Sequence, residues 1–248
     1  MLGRFLEYSI PTADIRGSLD FYLKLGFSEA EVGDTWTHPY AVITDGRIHL
    51  GLHRVPETEP TLTFVKADLL QHLAALERLG VQLEFRRLGN DIFNELGWVD
   101  PSGHRVRLVE ARTFSPSKRV ATETSLCGYF EEIALPSVDL QQAKEYWEKL
   151  GFVGMDELEA PLPHLSCTSD SIDLGLYEPS HLARPALVFD AGDVPTTLKR
   201  LADEGVSSSS TQLPPPLRGL SAGLLTAPEG TPILLMGDEK NGAKHPPA

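Results

Sequence analysis

LDFYLKLGF, Leu19–Phe27, is answered 125 residues later by KEYWEKLGF, Lys144–Phe152. Each copy follows a short apolar segment that closes in proline, LEYSIP up to Pro11 and FEEIALP up to Pro136. The offset of 125 is kept by Pro60 and Pro185, by Asp68 and Asp193, and by Gly80 and Gly205. It slips slightly only where DPSG (Asp100–Gly103) is answered by APEG (Ala227–Gly230). A period this long is too coarse for a solenoid and marks a duplicated domain. The 248 residues then divide into domains 1–113 and 128–239, each large enough for a core of its own, joined by a polar linker over 114–127. Residues 240–248 read as a disordered tail.

Within each half a smaller pattern repeats. Phe5–Ile10 reads as a strand, Asp14 as a helix N-cap, and Ile15, Leu19, Tyr22 and Leu25 fall at helical spacing before the stop at Gly26. Strand segments follow after Phe27, at Tyr40–Thr44 and at Ile48–His53, the last two joined by the tight-turn dipeptide Asp45-Gly46. The order restarts with a strand at Thr61–Val65 and a helix that Asp68 is expected to cap, carrying Leu69, Leu73, Leu76 and Leu79 on one face. Strands at Val81–Arg87, Phe93–Val99 and Arg105–Glu110 complete it. The chain is therefore expected to be α+β, with four βαβββ units and helices outside curved mixed sheets. SSSSTQLPPPLRG, Ser207–Gly219, is its least regular stretch and reads as a surface loop.

The bulk properties exclude several classes. An apolar fraction of 41% and a mean hydropathy of -0.15 suit a globular protein, and no apolar run nears the length of a membrane span. A net charge of -13 leaves no basic footprint for nucleic acid. Two cysteines without metal-like spacing, Cys127 and Cys167, and no signal-peptide pattern point to a reduced, cytoplasmic setting, as a monomer or homodimer.

Paired βαβββ units resemble the vicinal oxygen chelate superfamily, which includes glyoxalase I, bleomycin-resistance proteins and extradiol dioxygenases. The residues that carry the resemblance are Ile10-Pro11, Asp20-Phe21-Tyr22 and Leu25-Gly26-Phe27, with Leu135-Pro136, Glu145-Tyr146-Trp147 and Leu150-Gly151-Phe152 as the second copy, and the Asp100–Gly103 turn. The resemblance implies a sheet-lined pocket in which the family's metalloenzymes take ligands from the first and last strand of each unit. Carried over residue by residue, those positions are Glu7, Gly51, Thr61 and Arg107, then Glu132, Gly175, Ala186 and Leu234. One carboxylate per half, beside glycine, alanine, leucine and a fixed cation, is short of the donors a transition metal needs, so no metal or other cofactor is expected.

Glu7 and Glu132 occupy the same place in the two halves, four residues before the closing proline, and are the candidate acid/base groups. A carboxylate facing a pocket must be paired, protonated or used. Only one arginine, Arg107, stands at a ligand-equivalent position; with the units pairing inside each half, the arrangement expected, it would hold Glu7 and leave Glu132 the freer group, whereas with the first unit on the fourth and the second on the third it would hold Glu132. Alternation along a strand puts His49 and His53 on the face of Gly51, and Trp36, Tyr40, Phe93 and Trp98 offer aromatic area for a ligand. The candidate ligand-binding set is therefore Trp36, Tyr40, His49, His53, Trp98 and Arg107. The reading that follows is a metal-independent protein of the glyoxalase/bleomycin-resistance type that binds a small organic molecule for sequestration or resistance. The alternative is a lyase, isomerase or dioxygenase of the same superfamily that uses Glu7 or Glu132 in proton transfer or in an atypical metal site.

Overall fold

The structure, a computed structural model, describes residues 2–30, 36–90, 93–111, 125–158, 162–208 and 213–237. In the first half β1 (Arg4–Pro11), α1 (Ile15–Lys24), β2 (Ser28–Glu29), β3 (Tyr40–Thr44) and β4 (His49–His53) form one unit; β5 (Thr61–Lys66), α2 (Leu69–Arg78), β6 (Leu83–Arg87), β7 (Glu95–Val99) and β8 (Arg105–Glu110) form the next. The second half repeats the order with β9 (Tyr129–Pro136), α3 (Leu140–Lys149), β10 (Val153–Leu158), β11 (His164–Thr168) and β12 (Asp173–Tyr177). Its last unit is β13 (Ala186–Asp190), α4 (Val194–Asp203), β14 (Ala222–Thr226) and β15 (Pro232–Met236). The strands make an eight-stranded sheet, β2-β3-β4-β1-β5-β8-β7-β6, and a seven-stranded sheet, β10-β11-β12-β9-β13-β15-β14. Units pair inside each half: β1 runs antiparallel to β5, and β9 to β13.

Among the described residues the fourth unit has two strands after its helix and a 3-10 turn at Pro215–Leu217; most of the stretch equivalent to β6, 209–212, lies outside the described residues. The segment is not a simple surface loop: Leu213 and Leu217 are buried against Leu224 and Leu234 on the inner face of the second sheet.

Local chemistry sets the helix ends. Asp14, Asp139 and Asp193 each accept a hydrogen bond from a first-turn amide, of Gly17, Gln142 and Thr196. Asp68 does not cap α2 in this way. It lies in the left-handed region with φ 55° and its side chain makes no cap bond; Glu110 on β8 accepts from the Leu69 amide instead, at 3.1 Å.

The main core runs through both halves. It gathers Tyr8, Tyr22, Leu50, Leu62, Phe64 and Trp98 from the first with Phe130, Trp147, Leu174, Phe189 and Leu235 from the second. Equivalent contacts recur with the halves exchanged. Phe27 meets Phe189 edge-on at 6.3 Å and Phe64 meets Phe152 at 6.4 Å. Glu229, on the APEG turn, accepts from Ser18 and Tyr22 of α1, while Ser102, on the DPSG turn, donates to Ser137 at the mouth of α3. Trp98 belongs to this seam: it is 1% exposed and its indole N–H donates to Tyr146 Oη at 2.7 Å. Its expected place in a ligand pocket is corrected accordingly, because Trp98 and Leu96 share the core face of β7 while Glu95 and Gly97 take the other. Of the expected linker, residues 114–124 lie outside the described residues; Ser125–Cys127 is packed, with Leu126 N–H on Leu25 O and Cys127 buried. The expected tail, 240–248, also lies outside them.

Candidate functional site

A bulge in each central strand aims the two glutamates. The pairing of β1 with β5 slips between Phe5 and Glu7, and that of β9 with β13 slips at the equivalent place. The extra residue keeps Phe5 and Tyr8, or Phe130 and Ile133, in the core while Glu7 and Glu132 turn to the opposite face. Glycine on the neighbouring strand makes room there. A Cβ on Gly51 would sit 2.4 Å from both Glu7 Cδ and His53 Nε2; on Gly175 it would sit 2.0 Å from Glu132 Oε1. These glycines are required by the carboxyl beside them and not by their backbone angles.

In the first half Glu7 is 2% exposed, and its Oε1 accepts from Ser9 Oγ at 2.7 Å and from His53 Nε2 at 2.6 Å. Thr63 Oγ1 completes the inner end, 2.7 Å from Ser9 Oγ. The chain continues outward, since His53 Nδ1 and His38 Nε2 are 2.8 Å apart. With Glu7 ionised, His53 carries its proton on Nε2, so Nδ1 must accept from His38. That leaves Nδ1 of His38 as the basic end of a five-residue series. Burial, then the neighbouring His53 and Arg107, lower the pKa of His38 and favour its neutral form. Tyr40 stacks parallel to the His53 ring at 5.8 Å, and Trp36 meets it edge-on at 5.3 Å. A cleft with about 280 Å³ of empty space, partly open to solvent, is lined by Ser9, Pro11, His38, His53, Val55, Glu57, Glu59, Thr61 and Arg107.

Arg107 does not hold Glu7. Its carboxylate neighbour is Glu95 on the adjacent strand, with Nε 3.7 Å from Oε2, and Glu95 in turn accepts from Arg87. The donors to Glu7 are Ser9 and His53, and among the described residues no lysine or arginine pairs with it. His49 shares the face of Gly51 and His53 but is absent from the cleft lining, and burial lowers its pKa.

The second half keeps the carboxyl and exchanges its partners. Tyr40 and His53 face each other across β3 and β4; at the equivalent places β11 and β12 carry His164 and Tyr177. The rings again stack, at 4.6 Å, but it is now Tyr177 that donates to Glu132 Oε1, at 2.6 Å. His164 is turned away to the Leu162 carbonyl and leaves Nε2 3.9 Å from Glu132. Burial pushes Glu132 up to about 7, against the opposing pull of the Tyr177 hydrogen bond. The face around it is packed with leucine, including Leu213 and Leu217. Among the described residues no lysine or arginine pairs with Glu132, and a cleft opens beside His53 and His38, the series that ends on Glu7. His38, Ser9, Tyr177 and His164 were not among the expected site residues. The signal for the last pair was the internal repeat itself, which sets Tyr40 against His164 and His53 against Tyr177 at a constant offset.

No family model and no curated protein matches the sequence. Solved structures do. A variant of homoprotocatechuate 2,3-dioxygenase from Brevibacterium fuscum is 14% identical, with a TM-score of 0.60 over 95% of this chain and 71% of that one. A structure described as an extradiol ring-cleaving dioxygenase from the same organism gives 0.61 at 14% identity, over 96% and 72%. Catechol 2,3-dioxygenase gives 0.56 at 12% identity, over 96% and 90%. The chain shares its tandem two-sheet fold with these dioxygenases. At and beside the ligand positions that the resemblance implies, Gly51 offers no side-chain donor, both His53 nitrogens are engaged, and Arg107 is a fixed cation. Among the described residues no group of three or more His, Cys, Asp or Glu could hold a metal ion. The donor set does not fit a transition metal.

Proposed function

We propose that the first-half cleft binds a small organic molecule and moves a proton to or from it without a metal, as a lyase- or isomerase-type acid–base site. One observation carries the reading: the unbroken series Glu7–His53–His38, with a buried carboxylate at one end and a histidine on the cleft wall at the other. A proton taken at His38 Nδ1 would let the Nε2 proton pass to His53 Nδ1, and His53 Nε2–H then bears on Glu7. The positive charge that develops is met by a carboxylate already in place, which is the role of an orienting acid behind a general base. Tyr40 stacking and the Trp36 edge would hold the ring of His53 against rotation. The dioxygenases that share the fold support a small organic substrate; the donor set argues for proton transfer over oxygen chemistry.

The test is solvent-deuterium exchange. A panel of small enolisable ketones and keto acids is followed by NMR in D2O with wild type, His53→Asn and Glu7→Gln, with and without EDTA. At least one member should exchange faster with wild type, fall about tenfold or more in either variant, and ignore EDTA. Exchange that survives both changes, or that EDTA abolishes, refutes the proposal. Stoichiometric binding with no exchange would return the site to sequestration.

A further inference from the structure

We infer that the ligand of this cleft is a planar monocarboxylate: its anion meets Arg107 and the rest of the molecule carries no second negative charge. The inference rests on the proposed site and names its ligand class. Arg107 lines the cleft with His38 and His53, so an anion held there lies within reach of the basic end of the series.

The charge on this wall is not already spent. Glu95 is shared by two arginines, and the nearer is Arg87, whose NH1 donates to Glu95 Oε1. Arg107 Nε is 3.7 Å from the other oxygen, too far for a hydrogen bond, and is buried without a hydrogen-bond partner. Two guanidinium groups against one carboxylate leave a net positive wall. A carboxylate ligand would supply charge-assisted acceptors that Glu95 does not.

The shape next to it is flat. The Arg107 guanidinium lies 5.5 Å from the Trp36 ring and 5.8 Å from the Phe85 ring. Trp36 also touches His53 and lies 6.0 Å from Phe93, which is 43% exposed. A conjugated or aromatic body fits beside such rings. Glu57 and Glu59 stand exposed on the same lining. They disfavour a second negative charge, and so a dicarboxylate, through a screened repulsion.

Benzoate, benzamide and terephthalate separate these terms. Binding to the intact protein is measured by calorimetry and ligand-observed NMR, at low and high salt, for wild type, Arg107→Met, Arg107→Lys and His53→Asn. Benzoate should bind about tenfold or more tighter than benzamide, with the margin shrinking in salt. Terephthalate should bind more weakly than benzoate. Arg107→Met should erase the acid preference while leaving benzamide binding, which certifies the fold, and Arg107→Lys should keep part of it. Equal binding of acid and amide, a preference that survives Arg107→Met, terephthalate binding as well as benzoate, or no binding of benzoate at all would each overturn the inference. If an Arg107-dependent preference is absent while deuterium exchange still depends on His53, the ligand class alone is wrong. If the preference holds but exchange does not depend on His53, the proton series alone is wrong.

Discussion

Replacing Glu132 by glutamine should make the protein more stable at neutral and alkaline pH and leave it unchanged in acid. The carboxyl is 7% exposed, sits among leucines, and is moved from its ordinary 4.5 to about 7, chiefly by burial and secondarily by the charge of Asp173. A carboxyl whose folded pKa is raised contributes fully below the unfolded value, where both states hold the proton. As pH climbs from 4.5 toward 7 the unfolded chain ionises and the folded chain does not, so stability falls across that window and then levels off. A rise of this size corresponds to on the order of 3 kcal/mol. Glutamine keeps the shape and an oxygen to accept from Tyr177, so part of that ceiling, about 1 to 3 kcal/mol, should appear as a gain. His164 also titrates, since burial lowers its pKa, but it is present in both proteins and largely cancels in the difference. The assay is urea unfolding of wild type and Glu132→Gln between pH 4 and 8. A difference that does not change with pH, or a variant less stable than wild type at pH 8, would show that the buried carboxyl is not carrying the cost assigned to it.

Three further outcomes are expected. Gly51→Ala should abolish the proton exchange of the proposed site and lower stability by about 1 to 3 kcal/mol in thermal and urea unfolding, because its methyl group would meet Glu7 and His53 at 2.4 Å. Any exchange activity should rise with pH along a limb lying below the ordinary histidine value of 6.5 and be flat by neutrality, since His38 acts when neutral and its pKa is lowered; a pH–rate profile reads this directly. Leu217→Ala should cost about 2 to 5 kcal/mol in denaturant unfolding, as a buried leucine on the inner face of the second sheet, whereas a true surface loop would register almost nothing.

The fold was legible because two periodicities agree. The long offset marks the duplication, and within each copy the strand–helix–strand order is written by prolines, aspartate caps and glycine stops. Three of four caps obey that chemistry; at Asp68 a distant carboxylate, Glu110, took over the amide, which no local pattern announces. What the composition of the fourth unit concealed was that Leu213 and Leu217, on either side of Pro214–Pro216, would turn inward. In the site, the alternation of β4 put both His49 and His53 on the face of Gly51, without telling which of them meets Glu7; it is His53 that does. The pairing of Arg107 was misjudged because strand phase gives the face of a side chain and not its reach, and Glu95 lies nearer. His38 sits outside regular structure, where no period applies. Trp98 was misplaced because an aromatic residue on a half-buried strand reads alike from either face, and its indole partner, Tyr146, comes from the other half of the chain.

The exchange of contacts between the halves bears on what can be cut. Glu229 closes over α1 and Ser102 over the approach to α3, and the main core includes aromatic residues from both sides. A protease nick between residues 111 and 125 would therefore yield two fragments that each expose the other's packing surface, Tyr22 and Phe27 on one, Trp147 and Phe152 on the other. Such fragments are complements before they are domains: mixed, they should reassemble stoichiometrically, and the uncut chain should lose both sheets in a single cooperative step. With that outcome, two copies of a sequence make one unit of folding.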